Sequence, residues 1–216
     1  MITLGLDPSM TGFGWCVHNS AAEGPARVID RGRFATSSKD IFVRRYIHLR
    51  ESVKGVIDKY PEIESVGIES PPFGELWSEG LYGLFVMVNE AIYVKRRDVV
   101  YFDPGSLKML AKEDPDARKG KMHKIDMVET ARTDTGITGV FNHNEADAYH
   151  LARFAARFFL YLRGEVPEED LTPAEWRAFA KVHTFKRGVK AGQIAKLGAA
   201  FKEGQRFFRF SSIPQD

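Results

Sequence analysis

The opening stretch of the chain constrains its fold more than any other segment. Residues 2–9 read Ile-Thr-Leu-Gly-Leu-Asp-Pro-Ser, which predicts a short buried strand with one carboxylate, Asp7, at its carboxyl end. Ligands of open α/β sheets gather at the carboxyl ends of strands, so Asp7 is a candidate metal ligand. An aspartate before a proline is also common as a simple turn cap, and this stretch alone leaves both interpretations open.

Composition narrows the class of protein but not its partners. The chain has 216 residues, 44% of them hydrophobic and 28% charged, which is typical of one globular domain with room for an extension. Lys and Arg number 31 and Asp and Glu 29, so the net charge of +2 indicates no particular partner. The single cysteine, Cys16, excludes an internal disulfide. Without a signal-like leader or a membrane-length apolar run, we expect a cytoplasmic protein that does not contact membranes.

The hydrophobic pattern predicts strands and helices that follow an antiparallel start. Short turns join three strands within residues 2–35, which favours a meander. Beyond it, we expect strands at 65–69 and 98–102 and helices at 41–60, 78–97, 106–111, 122–132 and 142–163. The second of these helices is apolar almost all round, so it is either a central core helix or a subunit interface.

Two further carboxylates occupy positions comparable to that of Asp7. Glu69 closes the strand Val-Gly-Ile, because Pro71 and Pro72 cannot continue a central strand. Asp147 lies in the first turns of the last long helix, where the helix macrodipole alone could also explain an acid. Three dispersed carboxylates that one fold can bring together supply the oxygen ligands that Mg²⁺ prefers. Two such ions can stabilise the attacking and leaving oxygens in phosphodiester hydrolysis.

Basic and aromatic residues are mixed in the C-terminal part. A capping box at Thr172 predicts the start of a helix. Lys, Arg and Phe intermingle between Phe185 and Arg209, which suits contact with nucleic acid, although the phenylalanines could equally pack back on the domain. We therefore expect a domain at 1–163 and a basic helical extension at 164–216.

Three motifs together resemble those of the RuvC-type Holliday junction resolvases. They are Leu-Gly-Leu-Asp-Pro-Ser-Met-Thr-Gly-Phe-Gly-Trp at the start, Val-Gly-Ile-Glu-Ser around Glu69, and Asn-Glu-Ala-Asp-Ala-Tyr-His-Leu-Ala around Asp147. The resemblance implies an α/β, RNase H-like fold with a mixed five-stranded sheet flanked by helices, and a homodimer through the helix at 78–97. It also implies Mg²⁺, with Mn²⁺ as a substitute, and paired symmetrical cleavage of four-way DNA junctions. The length beyond residue 164 points to the bacteriophage branch of the family.

The resemblance also implies roles for individual residues. Asp7, Glu69 and Asp147 match the metal-binding acids of the family. The fourth position, often Asp or His, is here Asn144, with His143 just before it. We expect Asn144 to be the ligand, with His143 or a simple helix cap as the alternatives.

Basic and aromatic positions complete the expected site. Lys108 and Lys121 match basic positions near the scissile phosphate, and Phe73 resembles an aromatic residue that stacks at the crossover of the junction. Further DNA contacts are expected from the charged loop and from the tail, at Arg118, Lys119, Lys186 and Arg187.

Three other functions remain open. An RNase H-like nuclease acting on RNA or RNA–DNA hybrids would use similar acids. An actin-like ATPase has a similar first motif, but 216 residues are too few for its duplicated unit plus a tail. The third is a catalytically weak DNA-structure-binding protein, which the missing fourth acid allows.

Overall fold

The computed structural model describes residues 1–70, 79–113, 123–139 and 141–180, together with four short strands between residues 182 and 208. A mixed sheet in the order β3-β2-β1-β4-β5 forms its centre. Its strands are β1 Ile2–Asp7, β2 Phe13–Asn19, β3 Val28–Phe34, β4 Ser65–Glu69 and β5 Asp98–Phe102.

The directions of the strands follow from their connections. Short turns join β1, β2 and β3, and these strands pair antiparallel, as the sequence predicts. Helical crossovers separate β1 from β4 and β4 from β5, and these pairs are parallel. The predicted mixed five-stranded sheet is therefore confirmed.

Six α-helices accompany the sheet within the described residues. They are α1 Phe42–Lys59, α2 Glu79–Val94, α3 Pro104–Ala111, α4 Lys124–Thr135, α5 His143–Leu162 and the short α6 Pro173–Glu175. Helix α3 begins two residues earlier than predicted because the side chain of Asp103 accepts a hydrogen bond from the backbone N–H of Ser106 and caps it. None of the described helices is long and apolar enough to cross a membrane.

The two faces of the sheet carry different helices. Leu4 and Leu6 of β1 belong to a core cluster with residues of α1 and α2. The alternate residues of the same strand face α5, where the hydroxyl of Thr3 donates to the carbonyl of Ala152 at 2.9 Å. Because successive side chains of a strand point to opposite faces, Asp7 lies on the same face as Thr3, the face that α5 covers.

Three glycines let α5 approach the sheet closely. A Cβ atom at Gly5 would lie 1.8 Å from the carbonyl oxygen of Ala148, and one at Gly14 would lie 2.1 Å from that of Asn144. A Cβ atom at Gly67 would lie 2.3 Å from the carbonyl oxygen of Leu151. We call Gly5, Gly14 and Gly67 the glycine floor of α5, since any larger residue there would push the helix away.

Helix α2 buries one side and exposes another. Leu84, Val88, Ala91 and Ile92 are fully buried in the core that α2 shares with α1. Tyr82 and Val86 are 56% and 48% exposed, and three apolar residues of α1, Phe42, Val43 and Ile47, are exposed as well. The two helices meet there, because the ring of Phe42 lies against Gly80 and that of Tyr46 against Gly83. We call the five exposed side chains the α1–α2 surface.

The packing continues past the predicted boundary at residue 163. Leu171, Ala174 and Phe179 are buried in the same core cluster as Phe102 and Phe158. The division into two domains stays a prediction.

The described residues beyond Ala180 are extended rather than helical. The strands are β6 Val182–Thr184, β7 Ile194–Lys196, β8 Ala199–Glu203 and β9 Arg206–Phe208. Strand β8 pairs antiparallel with β5, and β9 pairs with β8. The predicted helical character of the extension thus holds at residues 168–170 and 173–180 and not in these strands. Strand β8 pairs with the edge that β5 would otherwise leave open, a long-range contact that local sequence does not reveal.

Candidate metal and nuclease site

Two of the predicted acids lie side by side at the carboxyl ends of neighbouring parallel strands. Asp7 ends β1 and Glu69 ends β4, and the backbones of these strands pair directly. A hydrogen bond joins the two side chains. Carboxylates can only accept hydrogen bonds, so this contact requires one proton shared by the pair.

The third acid, Asp147, comes from α5. It lies between Asn144 and Ala148 on this helix. The backbone of Asn144 lies over Gly14 of the glycine floor, and that of Ala148 lies over Gly5. In the sheet, Gly14 lies opposite Asp7. The close approach of α5 therefore brings the charge of Asp147 within reach of both strand-end acids, where it raises the pKa of each.

Burial and mutual repulsion make this cluster hard to ionise. Burial, reinforced by the charges of Glu69 and Asp147, raises the pKa of Asp7 well above its usual range. Burial, followed by the charge of Asp147, raises the pKa of Glu69 to about 7. Burial raises the pKa of Asp147 to about 6. The cluster holds protons at pH values where isolated acids would be ionised.

Two lysines on neighbouring helices partly offset the rise in the pKa values of the acids. Lys108 of α3 lowers the pKa of Glu69 and of Asp147, and Lys124 of α4 lowers that of Asp7 and of Asp147. The sequence predicts Lys108 at the site but misses Lys124, the first residue of α4. The one sequence signal for Lys124 is its position just after the Lys-rich charged loop, where the family resemblance points to Lys121 instead.

The structure separates the candidates for the fourth ligand position. Nδ2 of Asn144 donates to the carbonyl of Gly12 at 2.5 Å, so this side chain contacts the turn between β1 and β2. His143 is exposed. The cap of α5 is neither of them but Asn142, whose side chain accepts from the backbone N–H of Glu145 at 3.0 Å. The cap alternative is therefore wrong for both residues, and the assignment of a fourth ligand stays a prediction.

The donor set fits a hard divalent cation in its chemistry. All three acids offer oxygen ligands. Their mutual repulsion, which a shared proton relieves in part, could be relieved instead by a bound cation. Among the described residues, however, no three His, Cys, Asp or Glu side chains converge closely enough to hold one ion. The site is thus a bonded carboxylate pair with a third acid in electrostatic range.

Six predicted site residues fall outside the part of the chain that the structure describes. They are Phe73, Arg118, Lys119, Lys121, Lys186 and Arg187. Their contacts with DNA and with the scissile phosphate stay predictions.

Two solved structures of RuvC are similar to this protein over most of their length. RuvC from Thermus thermophilus superposes with a TM-score of 0.62 and 21% sequence identity, covering 76% of this chain and 97% of that one. The T. thermophilus RuvC in complex with Holliday junction substrate gives 0.59 and 20%, covering 76% and 96%. A yeast mitochondrial Holliday junction resolvase is more distant, at 0.44 and 12%, covering 70% and 75%.

The other comparisons add no relative. No protein-family model matches the sequence, and no curated protein matches it. The two Thermus thermophilus structures are of a bacterial protein, so they give no support to the bacteriophage origin that the length of the chain suggests. At 21% identity the likeness concerns the fold, which is the RNase H-like fold of the RuvC resolvases.

Proposed function

We propose that this protein is a Mg²⁺-dependent endonuclease that resolves four-way DNA junctions by paired, symmetrical cleavage. The observation that carries the proposal is that Asp7 and Glu69 lie side by side at one edge of a RuvC-type sheet, with Asp147, Lys108 and Lys124 in electrostatic range. The neighbour solved with a Holliday junction substrate supports the choice of branched DNA over RNA hybrids as the substrate.

In this proposal the three acids hold the metal. Bound ions, two in the mechanism we favour, would supply the positive charge that activates water and stabilises the leaving oxygen. The proton between Asp7 and Glu69 would have to leave before both carboxylates could hold a cation. Lys108 and Lys124 attract the phosphate and offset the negative charge that develops on it.

Paired cleavage needs two sites, and we propose a homodimer to supply them. The predicted seam is the helix at 78–97, and the exposed part of it belongs to the α1–α2 surface. A two-fold dimer presents two equivalent sites to strands of opposite polarity, which suits the symmetry of a four-way junction.

Cleavage of defined substrates tests the proposal. The full-length protein is incubated with a labelled four-way junction, a matched duplex and an RNA–DNA hybrid, each with Mg²⁺ or with EDTA. We expect nicks at symmetrical positions in the junction alone, and only with Mg²⁺. The variant Asp7→Asn should bind the junction without cutting it, because removing a carboxylate abolishes a metal ligand and reduces repulsion of phosphate.

Each alternative has its own outcome in this assay. Cleavage of the hybrid in preference to the junction would favour an RNase H-like nuclease. Junction binding without Mg²⁺-dependent cleavage would favour a DNA-structure-binding protein. An Asp7→Asn variant that cuts at the wild-type rate would exclude the proposed site.

A further inference from the structure

Arg45 of α1 is a charged residue that the fold buries. Its side chain is buried, at 7% exposure, and among the described residues no carboxylate forms an ion pair with it. Burying a guanidinium is costly unless its donors are satisfied. Two of its donors are satisfied, by Thr36 and by the turn that holds Met10.

These bonds fix the turn that follows Asp7. Nη2 of Arg45 donates to the carbonyl of Met10 at 2.7 Å, and Nε donates to the hydroxyl of Thr36 at 2.9 Å. The hydroxyl of Thr36 in turn donates to the same Met10 carbonyl. Arg45 and Thr36 therefore hold one backbone carbonyl of the turn jointly, from the α1 side of the sheet.

Asn144 holds the same turn from the other face. Its side chain donates to the carbonyl of Gly12, two residues after Met10. Within the turn, the Ser9 hydroxyl also accepts from the backbone N–H of Gly12 at 3.4 Å. The carbonyls of Met10 and Gly12 are thus tied to α1 and α5, which lie on opposite faces of the sheet.

This arrangement links two of the acids. The turn begins directly after Asp7, and Asn144 lies three residues before Asp147, on the same face of α5. Any movement of the turn relative to α5 would change the separation of Asp7 and Asp147. A contact between Asn144 and the turn resists that movement, and Arg45 resists it from the other side.

We propose that Arg45 and Asn144 are positioning residues that clamp the β1–β2 turn and so set the geometry in which Asp7 and Asp147 receive a divalent cation. In this assignment Asn144 acts through a backbone carbonyl and is not itself a metal ligand. The proposal rests on the proposed function in that the acids are the metal site.

The first test measures Mg²⁺ affinity without DNA, by calorimetry on the full-length protein. Arg45→Met keeps the apolar stem and removes the donors, and should weaken Mg²⁺ binding about tenfold, as loss of an outer support does in other metal sites. Arg45→Lys should recover part of the affinity, because an ammonium can still donate to the Met10 carbonyl. Arg44→Met, an exposed change one residue earlier on the same helix, is the matched control and should leave affinity unchanged.

The second test separates clamp from ligand at Asn144. A ligand at this position predicts that Asn144→Asp binds Mg²⁺ more tightly, since a carboxylate is a better donor than an amide. The clamp predicts weaker binding, since the variant loses the donor to Gly12 and places a carboxylate against that carbonyl. Tighter binding by Asn144→Asp would overturn the role of Asn144.

A third test measures how junction cleavage by Arg45→Met depends on Mg²⁺ concentration. In Arg45→Met the Mg²⁺ concentration for half-maximal nicking should rise, while the rate at saturating Mg²⁺ stays close to that of the wild type. A variant whose rate falls at every Mg²⁺ concentration, with unchanged affinity, would assign Arg45 to something other than metal positioning.

Outcomes that overturn the clamp differ from those that overturn the nuclease. If Arg45→Met does not fold, Thr36→Val takes its place, because it removes one donor to Met10 and leaves the charge intact. Unchanged Mg²⁺ affinity in the folded variant would refute the clamp and leave the nuclease proposal standing. A wild-type protein that binds Mg²⁺ but cuts no junction would refute the nuclease, while the affinity series would still decide the clamp.

Discussion

At the scale of single residues, the folded structure favours protonated acids at the site, whereas the proposed metal binding needs ionised ones. At the ends of their strands Asp7 is buried and Glu69 half-buried, and they share a hydrogen bond that needs a proton. Burial and repulsion favour the protonated forms, whereas metal binding needs the ionised ones. The cost of the site should therefore appear in the stability of the metal-free protein.

The variant Glu69→Gln measures this cost as a function of pH. The pKa of Glu69 is about 7 in the folded protein against an ordinary value of 4.5. Its contribution to stability is therefore fully present below pH 4.5 and is lost as the pH rises towards 7. A shift of this size corresponds to ~3 kcal/mol at most. Without metal, Glu69→Gln should unfold at a temperature that increasingly exceeds that of the wild type as pH rises through this window.

The comparison with the wild type is essential because other groups titrate in the same range. Burial lowers the pKa of His18 and of His150 to about 4, so their contribution falls as the pH drops from 6.5 towards 4. That trend is common to both proteins and cancels in the difference. If the difference in unfolding temperature between Glu69→Gln and the wild type stays constant from pH 4.5 to pH 7, the raised pKa of Glu69 is contradicted. Mg²⁺ should shrink the difference, since only the wild type retains the full set of acids.

At the scale of elements, α5 and α2 carry the two surfaces on which the proposed function depends. Helix α5 brings Asp147 to the strand-end acids, and it can do so because the glycine floor lets its backbone approach β1, β2 and β4. Helix α2 contributes exposed side chains to the α1–α2 surface, while its opposite side belongs to the core.

Gly5→Ala tests the glycine floor. The added methyl group would lie 1.8 Å from a backbone carbonyl of α5, which cannot move aside as a flexible side chain could. We expect a loss of about 3 kcal/mol or more in the free energy of unfolding, in the upper range for overpacking. Gly55→Ala in α1 is the matched control, because nothing lies within 4 Å of its added Cβ. It should stabilise the helix by about 0.5–1 kcal/mol. Equal effects of the two changes in chemical denaturation would contradict the close approach.

Val86→Glu tests the α1–α2 surface as the dimer seam. Val86 is exposed, so a charge there should leave the fold intact and disrupt only an apolar contact between subunits. We expect sedimentation of a monomer, and single rather than paired nicks. Phe85→Glu is a poorer choice, because Phe85 packs against the ring of Tyr101 at 5.7 Å and its loss would disturb the core. A Val86→Glu protein that remains a dimer with paired cleavage would place the seam elsewhere.

The elements themselves are largely predictable from the sequence, and their contacts are not. Periodicity locates the strands that end at Asp7 and Glu69 and the helix that carries Asp147, since each has a strong local pattern. The resemblance to known motifs supplies the expectation that these acids meet. The bond from Asn144 to Gly12 and the charge of Lys124 at the site depend on how distant segments pack, which no local pattern encodes.

At the scale of the whole molecule, the segment at residues 166–179 forms part of the hydrophobic core. Residues up to Phe179 bury apolar side chains against Phe102 and Phe158, and β8 pairs with the edge of the sheet at β5. A role in DNA binding must therefore be sought beyond Ala180, where the basic residues of the tail lie.

Truncation after Ala180 isolates that role. For every phosphate that the tail neutralises, its removal should reduce the slope of log affinity against log salt by about 0.9. We expect weaker junction binding with a shallower slope, measured by titration at several salt concentrations. Thermal unfolding of the same protein controls for the loss of the pairing between β8 and β5. An unchanged slope would assign the tail to packing, and truncation after Gly164 would be uninformative because it removes part of the core.

The placement of Asp147 on α5 has a consequence for the nascent protein. Asp7 and Glu69 are synthesised early, but the helix that brings the third acid is the last long one among the described elements. A chain still on the ribosome therefore carries its first two acids without the residue that completes the proposed metal site. Under the proposed function, an unfinished or clipped chain that lacks α5 would be a harmless one, and the capacity to cut DNA would arise only with the completed fold.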